Sequence, residues 1–321
     1  MSATSSAAPR ALVDLHGRSP WSILPGLCLG FFMIMIDMTI VNIAVPTLQK
    51  TFGAGITVVG WVNSAYLLTF AVLLLVTGRL GDRFGPRPVF MAGLVVFTLA
   101  SAACGLAPTI GWLIAARAVQ GVGGAMMTPV GRLILTRTFP KDQLMKAMGY
   151  YMLPGMLGPT MGPLVGGFIT TNFTWHWNFY INVPIGLLGI AVALKHIPEI
   201  RLARPTAFDL MGFLIVACGM GTAQYAIENL GRHTVDNATE AMLIGLAVAI
   251  LGLYWVYARR RTDPVLELAM FKSRTFSVAV LAGSVIRAGI ATVPFLLPLL
   301  LQIGDRKSTR LNSSHVKRSR M

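Results

Sequence analysis

The sequence is poor in charged residues and in residues that hold metals or form disulfides. Of its 321 residues only 12% are Asp, Glu, Lys or Arg, whereas 55% are hydrophobic. A soluble domain of this composition would expose far too much apolar surface, so the chain is predicted to lie in a membrane. Its three cysteines, Cys28, Cys104 and Cys218, stand singly in apolar segments, which favours small apolar filler over a disulfide or a metal site.

Several protein classes lack the residues that they would need here. No Gly-x4-Gly-Lys-Ser/Thr loop is present, which argues against direct drive by ATP. Outside the last 17 residues the histidines are His16, His176, His196 and His233, none of them deep in an apolar segment, which argues against a haem protein or a membrane enzyme. Residues 1–20 lack an apolar core followed by a cleavage site, so they are predicted to be a cytoplasmic tail rather than a signal peptide.

Long apolar segments recur along the chain. About 20 apolar residues in a helix cross a hydrocarbon core of roughly 30 Å. The sequence therefore predicts an all-α integral membrane protein of about nine transmembrane helices. The spans are placed near residues 22–45, 59–78, 89–107, 110–131, 147–170, 179–197, 209–229, 240–258 and 276–303.

Lys and Arg are distributed unequally between the predicted loops. With the N-terminus inside, the cytoplasmic loops hold 17 of them and the outer loops hold only Lys50 and Arg232. Because positive charge is retained on the cytoplasmic side, this ratio predicts a cytoplasmic N-terminus. The net charge of +15 is then mainly an orientation signal that contacts anionic lipid, rather than a nucleic-acid surface.

Residues 78–87, Gly-Arg-Leu-Gly-Asp-Arg-Phe-Gly-Pro-Arg, place four charges and three glycines between two apolar runs. A short turn is predicted there, with its arginines on the cytoplasmic side and glycines that let helix ends approach closely. The stretch resembles the Gly-x-Leu-x-Asp-Arg-x-Gly-Arg-Arg signature between the second and third spans of the major facilitator superfamily, with Pro86 in place of one basic residue. The resemblance implies a conformational-switch motif made of Gly78, Asp82, Arg83, Gly85 and Arg87.

The first span carries Asp37 within Asp-Met-Thr-Ile-Val-Asn-Ile-Ala-Val-Pro. An ionised Asp near mid-membrane costs at least about 2.5–3.5 kcal/mol, so it should face a cavity or a partner. Asp37 is either a proton carrier or a residue hydrogen-bonded to a neighbouring helix for packing alone. The stretch resembles the Asp-x-Thr-x-Val-Asn-x-Ala-x-Pro signature of drug:proton antiporters with fourteen spans, which implies a role for Thr39 and Asn42 in the same cavity.

The fourth span places Arg117, Gly121 and Ala125 on one helical face because they are four residues apart. A guanidinium within a span needs a carboxylate or a water-filled site, unless it reaches out to the interface. The segment resembles the fourth-span motif of the superfamily, whose Arg is linked to proton transfer. Gln120 and the second intramembrane arginine, Arg287, are further candidates for the cavity.

The fifth span repeats Gly-Pro, at Gly158-Pro159 and Gly162-Pro163, before Gly166 and Gly167. Glycines at every fourth residue form a smooth strip on which another helix can lie, and each proline bends the helix. The run resembles the motif that distinguishes antiporters within the superfamily; a generic close-packed helix pair is the alternative. The strip is expected to meet helices of a second bundle.

Three other features have weaker interpretations. His176, in a Trp-His-Trp segment that resembles the fourteen-span family, is interpreted as a structural residue of an outer loop rather than a titrating group. Asp209 and Asp263 resemble family landmarks that flank two extra central helices. Glu228 lies near the outer end of its span, where a solvated helix end is the simpler interpretation.

Residues 305–321 lack any apolar periodicity and contain six basic residues and one acidic residue. Reverse translation of their first part resembles a common sequencing-library adapter read in frame. They are therefore expected to be non-native, and not a localisation or RNA-binding signal.

The resemblance implies a major facilitator fold and a proton-coupled exporter of hydrophobic or cationic compounds in the cytoplasmic membrane. It implies protons, lipid and a small-molecule substrate as partners, a monomer, no cofactor and no nucleic acid. Export of a siderophore, amino acid or sugar is the alternative. Alternating access needs two bundles, so the chain alone is expected not to transport. The expected regions are a tail at 1–20, a six-helix bundle at 21–200, two linker helices at 201–258, the first helix of a second bundle at 259–304, and the 305–321 segment.

Overall fold

The computed structural model describes residues 19–200, 209–230, 236–261, 264–266, 268–286 and 289. These residues contain helices and no strand. They belong to two units, Met1–Leu266 and Glu267–Met321. Within the second unit, the described part is a 3-10 turn, Leu268–Lys272, followed by the helix Arg274–Ile286. Arg287, Asp263 and residues 305–321 lie outside the described residues.

The first unit is a succession of helices joined mostly by very short connections. A 3-10 turn, Pro20–Ile23, leads into the first of them. The helices are α1 (Leu24–Phe52), α2 (Ile56–Phe84), α3 (Pro86–Gly105), α4 (Ile110–Thr138), α5 (Lys141–Asn172), α6 (Trp177–Tyr180), α7 (Asn182–His196), α8 (Leu210–Leu230) and α9 (Asn237–Arg259).

The predicted membrane spans correspond to these helices. Seven segments of the described chain are long and apolar enough to cross a membrane: α1 with its preceding turn, α2, α3, α4, α6 with α7, α8 and α9. At 32 residues α5 has the length, but glycines, prolines and polar residues interrupt its apolar side chains. Only the first part of the ninth predicted span is described. Because the helices continue into the loops, α1 and α2 end several residues beyond the predicted spans.

The helices of the bundle pack in pairs that small residues bring together. The helix α4 lies between α2 and α3, α1 lies along α5, α7 contacts α1 and α3, and α8 packs on α9. A Cβ on Gly93 of α3 would lie 2.9 Å from the carbonyl oxygen of Gly123 in α4, so the two backbones touch. From α2, the hydroxyls of Thr69 and Thr77 donate to backbone carbonyls of α4 at 2.8 Å.

The turn predicted at residues 78–87 is far shorter than expected. Residues 78–84 belong to α2, and α3 begins at Pro86, so Gly85 alone connects the two helices. Its φ of 92° is open only to a residue without a Cβ, and Pro86 is suited to the first turn of a helix. The helix persists through the charged segment because one side of it is buried, with Gly81 against Val130 of α4.

The glycine strip of α5 packs within this bundle, so the expectation that it meets a second bundle was wrong. Gly158, Gly162 and Gly166 are buried and lie against residues 35–40 of α1. The spacing of four predicted one contact face, but it carries no information about which helix lies on that face. Pro159 and Pro163, on other faces of α5, are exposed.

Candidate functional site

The polar residues at the centre of the bundle lie in apolar segments, where an isolated charge would be unfavourable. Asp37 lies thirteen residues into α1, about 20 Å along a helix of 29 residues. Arg117 lies seven residues into α4, which runs in the opposite direction along the bundle. Each side chain has no solvent-exposed surface at all.

Asp37 and Arg117 form a buried ion pair. Nη1 of Arg117 lies 2.6 Å from Oδ2 of Asp37, the short distance typical of a charge-assisted hydrogen bond. Of the alternatives that the sequence left open, the structure gives each of these two charges the other as its partner.

Arg117 is fixed by groups from two helices besides Asp37. Its Nε donates to the carbonyl oxygen of Val62 on α2 at 3.1 Å, and its Nη1 also donates to Oε1 of Gln120 at 2.9 Å. The ring of Tyr66 lies 4.2 Å from the guanidinium carbon, a cation–π distance. The planar guanidinium is thus held in one orientation.

The second carboxylate oxygen of Asp37 accepts from two amides. Nε2 of Gln120 and Nδ2 of Asn182 each lie 2.9 Å from Oδ1. Nδ2 of Asn182 also lies 3.1 Å from Oγ of Ser101, whose hydroxyl donates to the carbonyl of Phe179 at 2.9 Å. The network thus ties α1, α3, α4 and α7 together, and all of its side chains are buried.

Asn182 and Ser101 were not identified as site residues from the sequence. Asn182 stands a few residues after the Trp-His-Trp segment, at the start of an apolar run, and Ser101 is a small residue in another apolar run. A polar side chain within an apolar span is the one signal that could have indicated them, because such a group must find a partner.

These contacts define what the site can do chemically. The three groups that hydrogen-bond to Asp37 are all N–H donors, so both oxygens of the ionised carboxylate have partners. Burying two charges costs several kcal/mol per ion, which their attraction offsets only with good geometry and further hydrogen bonds. The arrangement supplies both, and it leaves Asp37 as a carboxyl group that can exchange a proton when water reaches it.

Two other predicted cavity residues lie apart from this network. The Thr39 hydroxyl donates to the carbonyl of Ile36 at 3.0 Å and lies against Gly162 in the glycine strip of α5, so its contacts are those of helix packing. Asn42 is exposed and accepts a hydrogen bond from Asn63 of α2. Of the predicted set, the structure brings together Asp37, Arg117 and Gln120.

Comparison with known proteins identifies the family. The sequence profile of the Major Facilitator Superfamily matches residues 27–307. The chain belongs to this superfamily. Its curated relatives include proteins named "Putative multidrug resistance protein MdtD" from Escherichia coli strain K12 and from Shigella flexneri serotype 5b, each 38% identical over 91% of this chain. The chain spans 62% of the length of these relatives.

Solved structures of transporters share the fold at low sequence identity. The peptide transporter POT in complex with sulfate has a TM-score of 0.57 and 16% identity, covering 82% of this chain and 55% of that chain. The inward-open xylose transporter XylE from E. coli has a TM-score of 0.52 and 15% identity, covering 68% and 57%. At these identities the likeness concerns the fold alone.

The superfamily motif at residues 78–87 makes contacts at the ends of several helices. Arg79 donates to the carbonyl of Pro264, in the segment that follows α9. Arg87 donates to the carbonyl of Leu194 near the end of α7 at 3.0 Å. The guanidinium of Arg83 lies over the ring of Phe84, and Asp82 is half-buried. The motif therefore connects the end of α2 to the segment after α9, and the start of α3 to α7.

His176 precedes α6 and lies apart from the buried network. Its ring stacks on Trp175 with 3.9 Å between centroids, and its Nδ1 lies 3.2 Å from the Thr174 hydroxyl. Partial burial lowers the pKa of His176 below its ordinary value. A structural role fits these contacts. Glu228 is half-buried in the last turn of α8.

An open apolar groove of about 400 Å³ lies between the start of α1 and the middle of α5. Trp21, Cys28, Tyr150 and Leu157 are among the residues that line it. Neither Asp37 nor Arg117 contributes to the groove, so the buried network and this surface are separate features.

Proposed function

We propose that this chain supplies the first bundle and the linker helices of a proton-driven exporter of hydrophobic, often cationic compounds. The observation that carries the proposal is the Asp37–Arg117 pair, which places a buried carboxyl group inside the helical bundle of a protein of a transporter superfamily. The similarity to proteins named for multidrug resistance supports the substrate class. The signatures of the first, fourth and fifth spans support coupling to protons.

Asp37 is the proton carrier in this proposal, and Arg117 sets the balance between its two protonation states. While the carboxylate is ionised, the pair is neutral as a whole and holds α1 to α4. Protonation leaves the guanidinium as the uncompensated charge, which changes the relative stability of the closed bundle and of a form open to water. This difference in stability between the two forms can drive outward transport if a proton and a substrate molecule cannot be bound at the same time.

The proposed protein lies in the cytoplasmic membrane with its N-terminus inside. The loop counts of Lys and Arg support this orientation. The helices α2, α4, α7 and α9 each carry a basic residue in their last turn. In this proposal each of these helices begins at the outer side and ends at the cytoplasmic side, where positive charge is retained. Residues 201–258 are proposed to be linker helices between two six-helix bundles.

The test is transport driven by a pH gradient in everted vesicles from cells that lack their own exporters. The protein is assayed in a form that carries both bundles, because alternating access needs both. Addition of ethidium should release part of the stored gradient, and Asp37→Asn should abolish this release. The matched control is Asp142→Asn, the same chemical change at an exposed position at the start of α5. Normal ethidium-driven proton release in Asp37→Asn would refute the proposal.

A further inference from the structure

The side-chain amide of Asn182 is satisfied on one side only. Its Nδ2 donates to Oδ1 of Asp37 at 2.9 Å and to Oγ of Ser101 at 3.1 Å. Its Oδ1 is buried and has no hydrogen-bond partner among the described residues. A fully buried amide with an unpartnered carbonyl oxygen is uncommon and calls for an explanation.

We propose that Asn182 is a two-position hydrogen-bond switch that reverses its amide when Asp37 takes up a proton. The inference rests on the proposed role of Asp37 as proton carrier. Rotation of the amide by 180° exchanges the positions of Nδ2 and Oδ1, which have nearly the same size. Oδ1 of Asn182 then takes the position that Nδ2 held before the reversal, at the same distance from Oδ1 of Asp37. There it can accept a hydrogen bond from a protonated Asp37.

The hydrogen bonds of Asp37 determine which oxygen carries the proton. Oδ2 faces Nη1 of Arg117, which donates in every protonation state of the carboxyl group. A proton on Oδ2 would oppose this donor, so the proton belongs on Oδ1. There it needs an acceptor, and both neighbours of Oδ1 present amide NH₂ groups.

Gln120 cannot supply that acceptor, whereas Asn182 can. Oε1 of Gln120 accepts from Nη1 of Arg117 at 2.9 Å, so reversing this amide would set its NH₂ group against an N–H of Arg117. The other partner of Asn182 is the hydroxyl of Ser101, which both donates and accepts. Arg117 therefore fixes one amide, while Ser101 allows the other to reverse.

Each donor that faces Asp37 or Ser101 meets an acceptor in both states, and the reversed NH₂ group of Asn182 takes the place that its Oδ1 holds now, where the described residues supply no hydrogen-bond partner. With Asp37 ionised, Asn182 donates to Ser101, and the Ser101 hydroxyl donates to the carbonyl of Phe179. With Asp37 protonated, its O–H and the Ser101 O–H both donate to Oδ1 of Asn182. The proton comes from water and returns to water, and no other bond forms or breaks. The carbonyl of Phe179 loses its side-chain donor but keeps the backbone N–H of Ile181.

The switch transmits protonation from α1 to the short helix α6. Phe179 belongs to α6, and its ring lies 5.9 Å from the guanidinium of Arg117 and 6.1 Å from the ring of Trp175.

The ionisable groups that face Asp37 are Arg117 from α4 and Cys104 from α3, with the phenol of Tyr66 from α2 beside them. Only Asn182 and Ser101 exchange donor and acceptor roles.

Infrared difference spectroscopy of the purified chain in lipid nanodiscs tests the switch directly. Spectra are compared between neutral and acidic pH. The carboxyl band of Asp37 is assigned by its loss in Asp37→Asn, and the amide carbonyl band of Asn182 by its loss in Asn182→Leu. On acidification, the amide band should move to lower wavenumber, because Oδ1 gains two hydrogen bonds.

Ser101→Ala removes one of the two donors, so the shift of the amide band should fall by roughly half. Thr98→Val is the matched control, since Thr98 is a buried hydroxyl of α3 that bonds only within its own helix. It should leave the shift unchanged. A protonated Asp37 band with no accompanying change in the Asn182 band would overturn the switch alone. If no Asp37 carboxyl band appeared at acidic pH, both the switch and the proposed function would fail.

Discussion

Gly162 of α5 lies so close to Thr39 of α1 that a Cβ at this position would overlap the threonine hydroxyl. That hydroxyl is occupied by hydrogen bonds to backbone carbonyls one turn back, at Met35 and Ile36, and cannot easily turn away. The two helices therefore meet at the backbone along this part of their length. The glycine strip of α5, which resembles a motif of antiporters, is therefore the surface on which α1 packs in this bundle.

Gly162→Ala should therefore destabilise the bundle. Overpacking of a close helix contact costs about 1–3 kcal/mol, more than alanine gains by its better helix propensity. The matched control is Gly167→Ala in the same motif, where a Cβ meets nothing within 4 Å. It should raise stability by about 0.5–1 kcal/mol. Unfolding midpoints in detergent measure both, and equal midpoints would contradict the packing argument.

Arg117→Leu should be much more damaging alone than together with Asp37→Asn. Removing one partner of a buried ion pair leaves an uncompensated charge and costs about 3–5 kcal/mol. The Asp37→Asn change removes that charge, so the double variant should recover part of the loss. A double-mutant cycle of unfolding free energies measures the coupling. Additive effects would show that the two side chains do not stabilise each other.

Arg117→Lys should not substitute for the arginine. An ammonium group can pair with Asp37, but it cannot also reproduce the bond from Nε to the Val62 carbonyl and the planar contact with Tyr66. We expect a loss of about 1.5–3 kcal/mol and loss of proton-coupled ethidium transport. Transport equal to that of the unmodified protein would contradict the proposed role of the guanidinium.

Gly85→Ala should disturb the connection between α2 and α3. With a φ of 92°, an alanine would be strained by about 1–3 kcal/mol whatever space surrounds it. Gly78, in the helical part of the same motif, provides the control, because a Cβ added there would meet nothing within 4 Å. Gly78→Ala should be neutral or stabilising. The thermal unfolding temperature should therefore fall in Gly85→Ala and should not fall in Gly78→Ala.

His176 should remain neutral down to mildly acidic pH. Its pKa lies below 6.5 in the folded protein because burial disfavours the charged ring. The unfolded chain then binds the proton more readily than the folded chain does. The neutral histidine therefore contributes stability above about pH 6.5, and this stability is lost as the pH falls through the folded pKa. Histidine-selective NMR titration, assigned with His176→Gln, measures the midpoint. A midpoint above 6.5 would contradict the burial argument.

The sequence predicted the buried charges well but not their surroundings. Asp37 and Arg117 stand out because charge is rare in apolar segments, and each had to find a partner. Asn42 shares the same motif with Asp37, yet it bonds to Asn63 elsewhere on the bundle. Five residues along a helix turn a side chain by about 140° relative to the first, so a linear motif does not define one site. Arg287 remains a prediction, since it lies outside the described residues.

Composition and apolar segment length were sufficient to predict a helical membrane protein, because a span must be long, apolar and internally hydrogen-bonded. The motifs were sufficient to indicate the superfamily. Only the tertiary structure decided that α1 covers the glycine strip, that Gly85 alone separates α2 from α3, and that Asn182 and Ser101 complete the site. These relationships join residues distant in sequence, and sequence periodicity defines the faces of one helix without specifying which helix packs on each.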